Sequence, residues 1–174
     1  MHIFMCFVLK LIIFYTLTGK NPMQELSKQE IELLRILQEN ARFDITDLTE
    51  RLNMSRTSVY DRIKKLENEG YIKDYVAIID PKKVGLNFTV IINLSLNSQR
   101  LDLVEEFSRQ VAALDEVVEG YVTGGIFDYV LKVVVKDPES FNDFIRKLSD
   151  IPNISKVQSS FVMSYIKQST KLHF

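Results

Sequence analysis

Five basic side chains, Arg51, Arg56, Arg62, Lys64 and Lys65, stand against one acid, Asp61, between positions 51 and 65, a net charge of +4. The surrounding stretch 23–80 carries nine Lys/Arg and twelve Asp/Glu, net −3. Positive charge is therefore concentrated inside an acidic segment, and the chemistry it offers is attraction of phosphate. On a helical wheel Val59, Ile63 and Leu66 share one stripe, and Thr57, Asp61 and Lys64 lie opposite, flanked by Ser58, Tyr60 and Lys65. A face of small hydroxyls, one aromatic ring and bases suits a groove of phosphates and base edges. A solvated helix face would show the same charge, so charge alone does not decide. By placement, Thr57, Ser58, Tyr60, Asp61 and Lys64 are expected at base edges, and Arg56 and Lys65 at phosphate. Ser55 caps the same surface, and Arg62, nearer the buried stripe, is expected to brace the second helix of the module by ion pairing.

A second cluster is Thr123-Gly124-Gly125, followed by Phe127 and Asp128. A glycine pair permits positive φ and close backbone approach. Its amides can take a carboxylate and Asp128 an ammonium group, which together describe a free amino acid. The same residues also describe a plain hairpin turn, where glycine pairs are usual and an Asp bonds its own backbone. Both readings stay open at this level. Catalytic and metal chemistry are poorly provided for. The one cysteine is Cys6 and the two histidines are His2 and His173, so 23–172 has no histidine and the chain no internal disulfide. No G-x-S-x-G, H-E-x-x-H, C-x-x-C or P-loop occurs. No cofactor is expected.

The elements that must position these residues follow from caps and periodicity. Ser27-Lys28-Gln29-Glu30 is a capping box, and Ile31, Leu34 and Leu37 recur behind it in a helix expected to end near Asn40. Asp44 caps a second helix, Asn53-Met54 is a very short break, and Ser55 caps a third helix from Arg56 to Glu69, stopped by Gly70. Two short helices across a tight turn, the second exposing the basic face, read as helix-turn-helix and favour DNA. Tyr71–Ile79 is β-branched and aromatic, so a strand or hairpin wing is expected, ended at Asp80-Pro81. Beyond a hinge at 81–87 come strand Phe88–Leu96, helix Leu101–Leu114, strand Val117–Val122, strand Phe127–Lys136, a helix capped by Asp137 with Pro138 at its first position, and strand Ile154–Ile166. This βαββαβ order predicts a ferredoxin-like sandwich with helices on one sheet face. Both sheet faces look apolar, which predicts self-association sheet to sheet.

The 174-residue chain is 46% hydrophobic and 26% charged, with a formal net charge of −1. That is ordinary globular usage and excludes disorder and low complexity for the bulk. Residues 1–22 differ: Ile3–Leu17 is apolar except for Lys10 and Thr16. No basic residue precedes that run, no cleavage-like site follows, and it is short for a membrane span. We read 1–22 as a non-native or mis-started extension, with a targeting segment as the alternative.

Three stretches now carry a resemblance. IELLRILQENARFDITDLTERLNMSRTSVYDRIKKLENEGYIKDYVAIIDPKKVG, VTGGIFDYVLKVVVKD and IPNISKVQSSFVMSYIKQ, in this order, resemble the Lrp/AsnC (feast/famine) family of transcriptional regulators over Leu26 to about Gln168. The resemblance implies an α+β chain: an N-terminal winged helix-turn-helix DNA-binding domain (23–80), a hinge (81–87), a C-terminal ferredoxin-like βαββαβ ligand-binding and oligomerisation domain (88–168) and a tail (169–174). It implies a cytoplasmic, non-membrane regulator acting on double-stranded DNA. It also implies a homodimer, often further assembled to tetramers or octamers, answering to an amino acid or related effector. By position, Thr123, Gly124, Gly125, Phe127, Asp128, Tyr129 and Ser159 match the family's effector region. Some members carry an acid just after the glycine where this chain has Ile126, so an uncharged or apolar effector side chain is expected. The alternatives are a ligand-sensing protein whose helix-turn-helix does not bind DNA, and a decarboxylase of the same two-module plan. Those enzymes lean on histidine, which 23–172 lacks.

Overall fold

Each helix of the first module begins where a side chain can satisfy an orphan amide. The computed structural model describes residues 26–174, so the readings of 1–22 and of a module start at Met23 lie outside it. Helix α1 (Lys28–Glu39) opens on the reciprocal box, Glu30 N to Ser27 Oγ at 3.2 Å and Ser27 N to Glu30 Oε2 at 2.7 Å. Helix α2 (Ile45–Leu52) is capped by Asp44, whose Oδ1 accepts from Thr46 N at 2.7 Å. The chain then reverses through Asn53 in the left-handed region, φ 50°. Helix α3 (Arg56–Asn68) starts at Ser55, whose Oγ accepts from Ser58 N at 3.2 Å. It stops because Gly70 takes φ 77°, letting Tyr71 N and Ile72 N reach back to the Leu66 carbonyl. Leu33, Ile36, Leu37, Leu48, Leu52, Val59, Ile63 and Leu66 close the core of the three helices.

The strand expected over Tyr71–Ile79 does not form: the segment joins no ladder among the described residues. A strand is defined by its neighbour, and composition fixes only the propensity. The expected hinge is partly ordered. Pro81–Val84 is a 3-10 helix capped by Asp80 and ended by Gly85 at φ 83°.

The second module runs β1 (Phe88–Leu96), α4 (Leu101–Ala112), β2 (Val117–Val122), β3 (Tyr129–Val135), α5 (Pro138–Ser149) and β4 (Ile154–Phe161). The sheet is antiparallel, order β2-β3-β1-β4. Register sets the faces. Val90, Ile92 and Leu94 pair with Val133, Leu131 and Tyr129, and all six are buried with Phe107, Phe144 and Leu148 of the helices. The opposite face is not uniformly apolar, which corrects the sequence reading. Ile91, Val130 and Val134 share it with Asn93, Gln158, Ser160 and a Lys132–Glu119 ion pair of 2.6 Å.

β3 begins at Tyr129, two residues late, because Phe127 and Asp128 are spent closing the turn. β4 ends at Phe161 instead of Ile166. Beyond it Val162 N still donates to the Thr89 carbonyl, and the Tyr165 hydroxyl reaches Thr89 Oγ1 at 2.9 Å. The chain divides into two compact units: residues up to Ala77 together with Lys167–Phe174, and Ile78–Ile166. The tail thus groups with the first module.

Candidate functional site

The turn between α2 and α3 presents the basic face on a rigid support. Val59 and Leu66 are fully buried and Ile63 nearly so, which fixes the rotation of α3. Thr57, Ser58, Asp61, Lys64 and Lys65 are exposed with Tyr60, whose ring is 51% exposed. Ser55 Oγ and Ser58 Oγ lie 2.9 Å apart, so both hydroxyls are tied into the cap. Arg56 Nη2 donates to Thr46 Oγ1 at 3.2 Å, which holds this cation at the junction of the two helices. Lys64 has no partner among the described residues.

Arg62 and Lys65 do something else. Arg62 donates to Ser27 Oγ (3.1 Å) and Gln29 Oε1 (3.0 Å) and sits 3.7 Å from Glu30 Oε1. Lys65 Nζ donates to the same Glu30 oxygen at 2.8 Å. Arg62 therefore braces the N-terminus of the first helix, not the second, and Lys65 is engaged by a carboxylate before any phosphate arrives. Glu30 is 3% exposed and links three functions: capping box, Arg62 partner and Lys65 partner. Burial pushes its carboxyl up. Hydrogen bonds from Lys65 and from the Ser27 amide and hydroxyl, with the Lys65 charge, outweigh that and bring it down to about 2. Sequence reading saw Glu30 only as a cap. The i, i+3 pattern was visible, but its long-range partners in α3 were not.

Below α3, Tyr75 is pushed up to about 12 by burial and a hydrogen bond to Glu67. The start of the extended segment is thereby pinned to the third helix.

The glycine turn is closed by its own atoms. Thr123 Oγ1 donates to Phe127 O (2.7 Å), Thr123 N to Asp128 O (2.8 Å), and Asp128 N to Leu94 O (2.8 Å). Asp128 Oδ2 accepts from Leu96 N at 2.8 Å, so one carboxylate oxygen is committed to backbone. Neither Gly124 nor Gly125 takes positive φ, and a Cβ at either would meet nothing within 4 Å. The chain itself does not require glycine there, and the space above both is open. Ile126 between them and Phe127 is 89% exposed.

Two expected members leave the cluster. Tyr129 is a core residue: its ring packs edge-on against Phe107 at 4.7 Å and its hydroxyl meets Ser108 Oγ at 3.1 Å. Ser159 pairs with Ile92, two to four residues along β1 from the positions that Asp128 bonds, so one chain does not bring it to the turn. The β4 residue that does reach the turn is Lys156, its Nζ 5.1 Å from the Phe127 ring centroid. No charge pattern around Lys156 marked it in advance, because only the strand register places it there. Among the described residues no cluster of His, Cys, Asp and Glu could hold a metal ion, and no helix is long and apolar enough to cross a membrane.

Residues 26–73 match the family model of a winged helix-turn-helix DNA-binding domain, and residues 89–172 that of the Lrp/AsnC ligand binding domain. The leucine-responsive regulatory protein of Escherichia coli is 29% identical over 154 residues, covering 88% of this chain and 94% of that protein. An AsnC family transcriptional regulator from Agrobacterium tumefaciens superposes with TM-score 0.81 at 34% identity, over 85% of this chain and 97% of its own. A transcriptional regulator from Neisseria meningitidis, solved as a complex with L-Met, gives TM-score 0.80 at 32% identity over 85% and 96%. The relatives named are transcriptional regulators.

Proposed function

The chain belongs to the Lrp/AsnC family of transcriptional regulators, and from that premise we propose that it is a cytoplasmic, non-enzymatic, sequence-specific DNA-binding homodimer that reads a free amino acid at the glycine turn. The observation that carries the DNA reading is the α3 surface: hydroxyls, Tyr60, Asp61 and Lys64 exposed on a helix whose other side is locked into the core. The third helix enters the major groove, with Arg56 at phosphate beside its N-terminus. Residues Ser55, Thr57 and Ser58 meet the backbone and base edges around it.

Self-association is supported by apolar surface left open in one chain. Val76, Ile78 and Ile79 of the extended segment are more than half exposed, as are Val118, Tyr121 and Val122 of β2. An extended segment without a ladder, and an edge strand with apolar side chains, are both completed by a second copy. A two-fold dimer then places half-sites about one helical turn, or a multiple of it, apart on DNA. Light scattering is expected to give a dimer or a higher even assembly at micromolar concentration. A stable monomer would remove the two-fold DNA reading.

The effector reading rests on open space above two glycines that the backbone does not need, and on the L-Met complex of the Neisseria relative. Turn amides and the Lys156 ammonium favour a carboxylate. The uncommitted oxygen of Asp128 favours an ammonium group. Ile126 favours an uncharged or apolar side chain between them. A ligand held at an interface between copies shifts assembly and, through assembly, DNA affinity.

Thermal-shift titration of the twenty amino acids tests this. An apolar or uncharged amino acid is expected to raise the melting temperature with dose. Asp128→Asn keeps an acceptor for Leu96 N while removing the charge, and is expected to abolish the rise without unfolding the turn. No shift at millimolar concentration with any amino acid would reduce the motif to a turn.

A further inference from the structure

Residues Lys171–Phe174 lie along the solvent side of α1, and nothing in the DNA or effector reading uses them. Gln38 holds the main chain of Leu172 at both ends: its Nε2 donates to Leu172 O at 3.0 Å and its Oε1 accepts from Leu172 N at 2.9 Å. Arg35 donates to the Phe174 carbonyl oxygen through Nε (3.2 Å) and Nη2 (2.5 Å). Lys171 pairs with Glu39. Positions 35, 38 and 39 recur at i, i+3 and i+4, so one helical face supplies all three contacts. The opposite side of the same helix is the core stripe of Leu33, Ile36 and Leu37.

This arrangement resembles a ladder built with a side-chain amide in place of a second strand. The Gln38 amide matches a main-chain N–H and C=O together, whichever residue carries them. Lys171 against Glu39 supplies the charge register. Little apolar surface is gained, since Leu172 is 70% exposed. Exposed ion pairs are individually weak. The contact is therefore built to open and close, unlike the buried Glu30 cluster at the other end of α1.

We infer that the outer face of α1 is a docking site for this chain's own 171–174 segment. The segment groups with α1 in one compact unit, although the chain reaches it only after Ile78–Ile166. The strap fastens to α1 reversibly, and its release uncovers Arg35, Gln38 and Glu39.

Amide hydrogen exchange on the full chain, read by mass spectrometry over the C-terminal peptide, tests the docking. The Leu172 amide is expected to exchange about ten-fold more slowly than an unprotected amide, because its proton is held by Gln38. Gln38→Ala is expected to restore the unprotected rate, with the melting temperature of the chain unchanged because Gln38 is half-buried and outside the core cluster. Glu39→Lys is expected to do the same by repelling Lys171, and adding Lys171→Glu to it to bring the protection back. An unprotected Leu172 amide in the parent chain, or protection that survives both single variants, would overturn the proposal.

Discussion

Replacing Arg56 and Lys64 together by alanine is expected to weaken DNA binding about a hundred-fold at physiological salt while leaving helix content and melting temperature unchanged. Both side chains are exposed and neither braces the core. Arg56 is steadied by the Thr46 hydroxyl and the charge of Asp44, and Lys64 by nothing among the described residues. Each cation lost from a phosphate or base edge costs about 1–3 kcal/mol and removes about one released counterion. The slope of log affinity against log salt should therefore become shallower by about two contacts. Lys65→Ala should change that slope less than either single variant, because Glu30 already holds the Lys65 ammonium. A double variant with the parent's slope would take Arg56 and Lys64 out of the footprint.

Acid is expected to loosen the DNA-reading module through Glu30. Its carboxyl lies at about 2 when folded against an ordinary value of 4.5. The folded form thus binds this proton less readily than the unfolded chain. The stabilisation it supplies is fully present above about pH 5 and is lost as pH falls toward 2. Integrated over that window the contribution is about 3 kcal/mol. Glu30 is almost fully buried, so solvent does not screen it away. Urea unfolding followed from pH 6 to pH 2.5 should show the parent chain losing stability faster than Glu30→Gln, which has forfeited the term at every pH. Asp44 and Asp137, each held below its usual range by backbone amides of its own helix start, contribute acid sensitivity to both chains and cancel in the difference. Equal pH slopes for the two proteins would mean that Glu30 is not held by Lys65 and Ser27 in solution.

Local signals were legible and distant ones were not. Ser27, Asp44, Ser55 and Asp137 marked helix starts to the residue, because a cap is a contact between positions two or three apart. Strand β1 was equally plain, since one β-branched run filled it. The partners of Arg62 and Lys65 lie 32–35 residues away in α1 and its cap, and only the folded core brings them there. The same limit applies to the extended segment. Val76, Ile78 and Ile79 have strand composition, but the described residues offer them no strand partner. At the glycine turn the sequence locates the loop but not which strand residues come near it. Tyr129 alternates inward from the turn into the core, Ser159 pairs with Ile92, and Lys156 is the β4 residue beside the Phe127 ring. The face opposite the helices looked apolar in one dimension because Val133-Val134-Val135 hides its alternation. Register shows Val134 beside Thr89, whose hydroxyl is already taken by Tyr165.

The most direct measurement is a gel-shift titration of the parent chain against genomic fragments, including the DNA upstream of its own coding region, at several salt concentrations. At least one fragment is expected to bind about a thousand-fold or more tighter than random duplex of equal length. That preference should fall with the Arg56→Ala/Lys64→Ala double variant, and affinity should drop steeply as salt rises. Equal affinity for every fragment and for random duplex, with no dependence on salt or on those two side chains, would contradict the DNA reading.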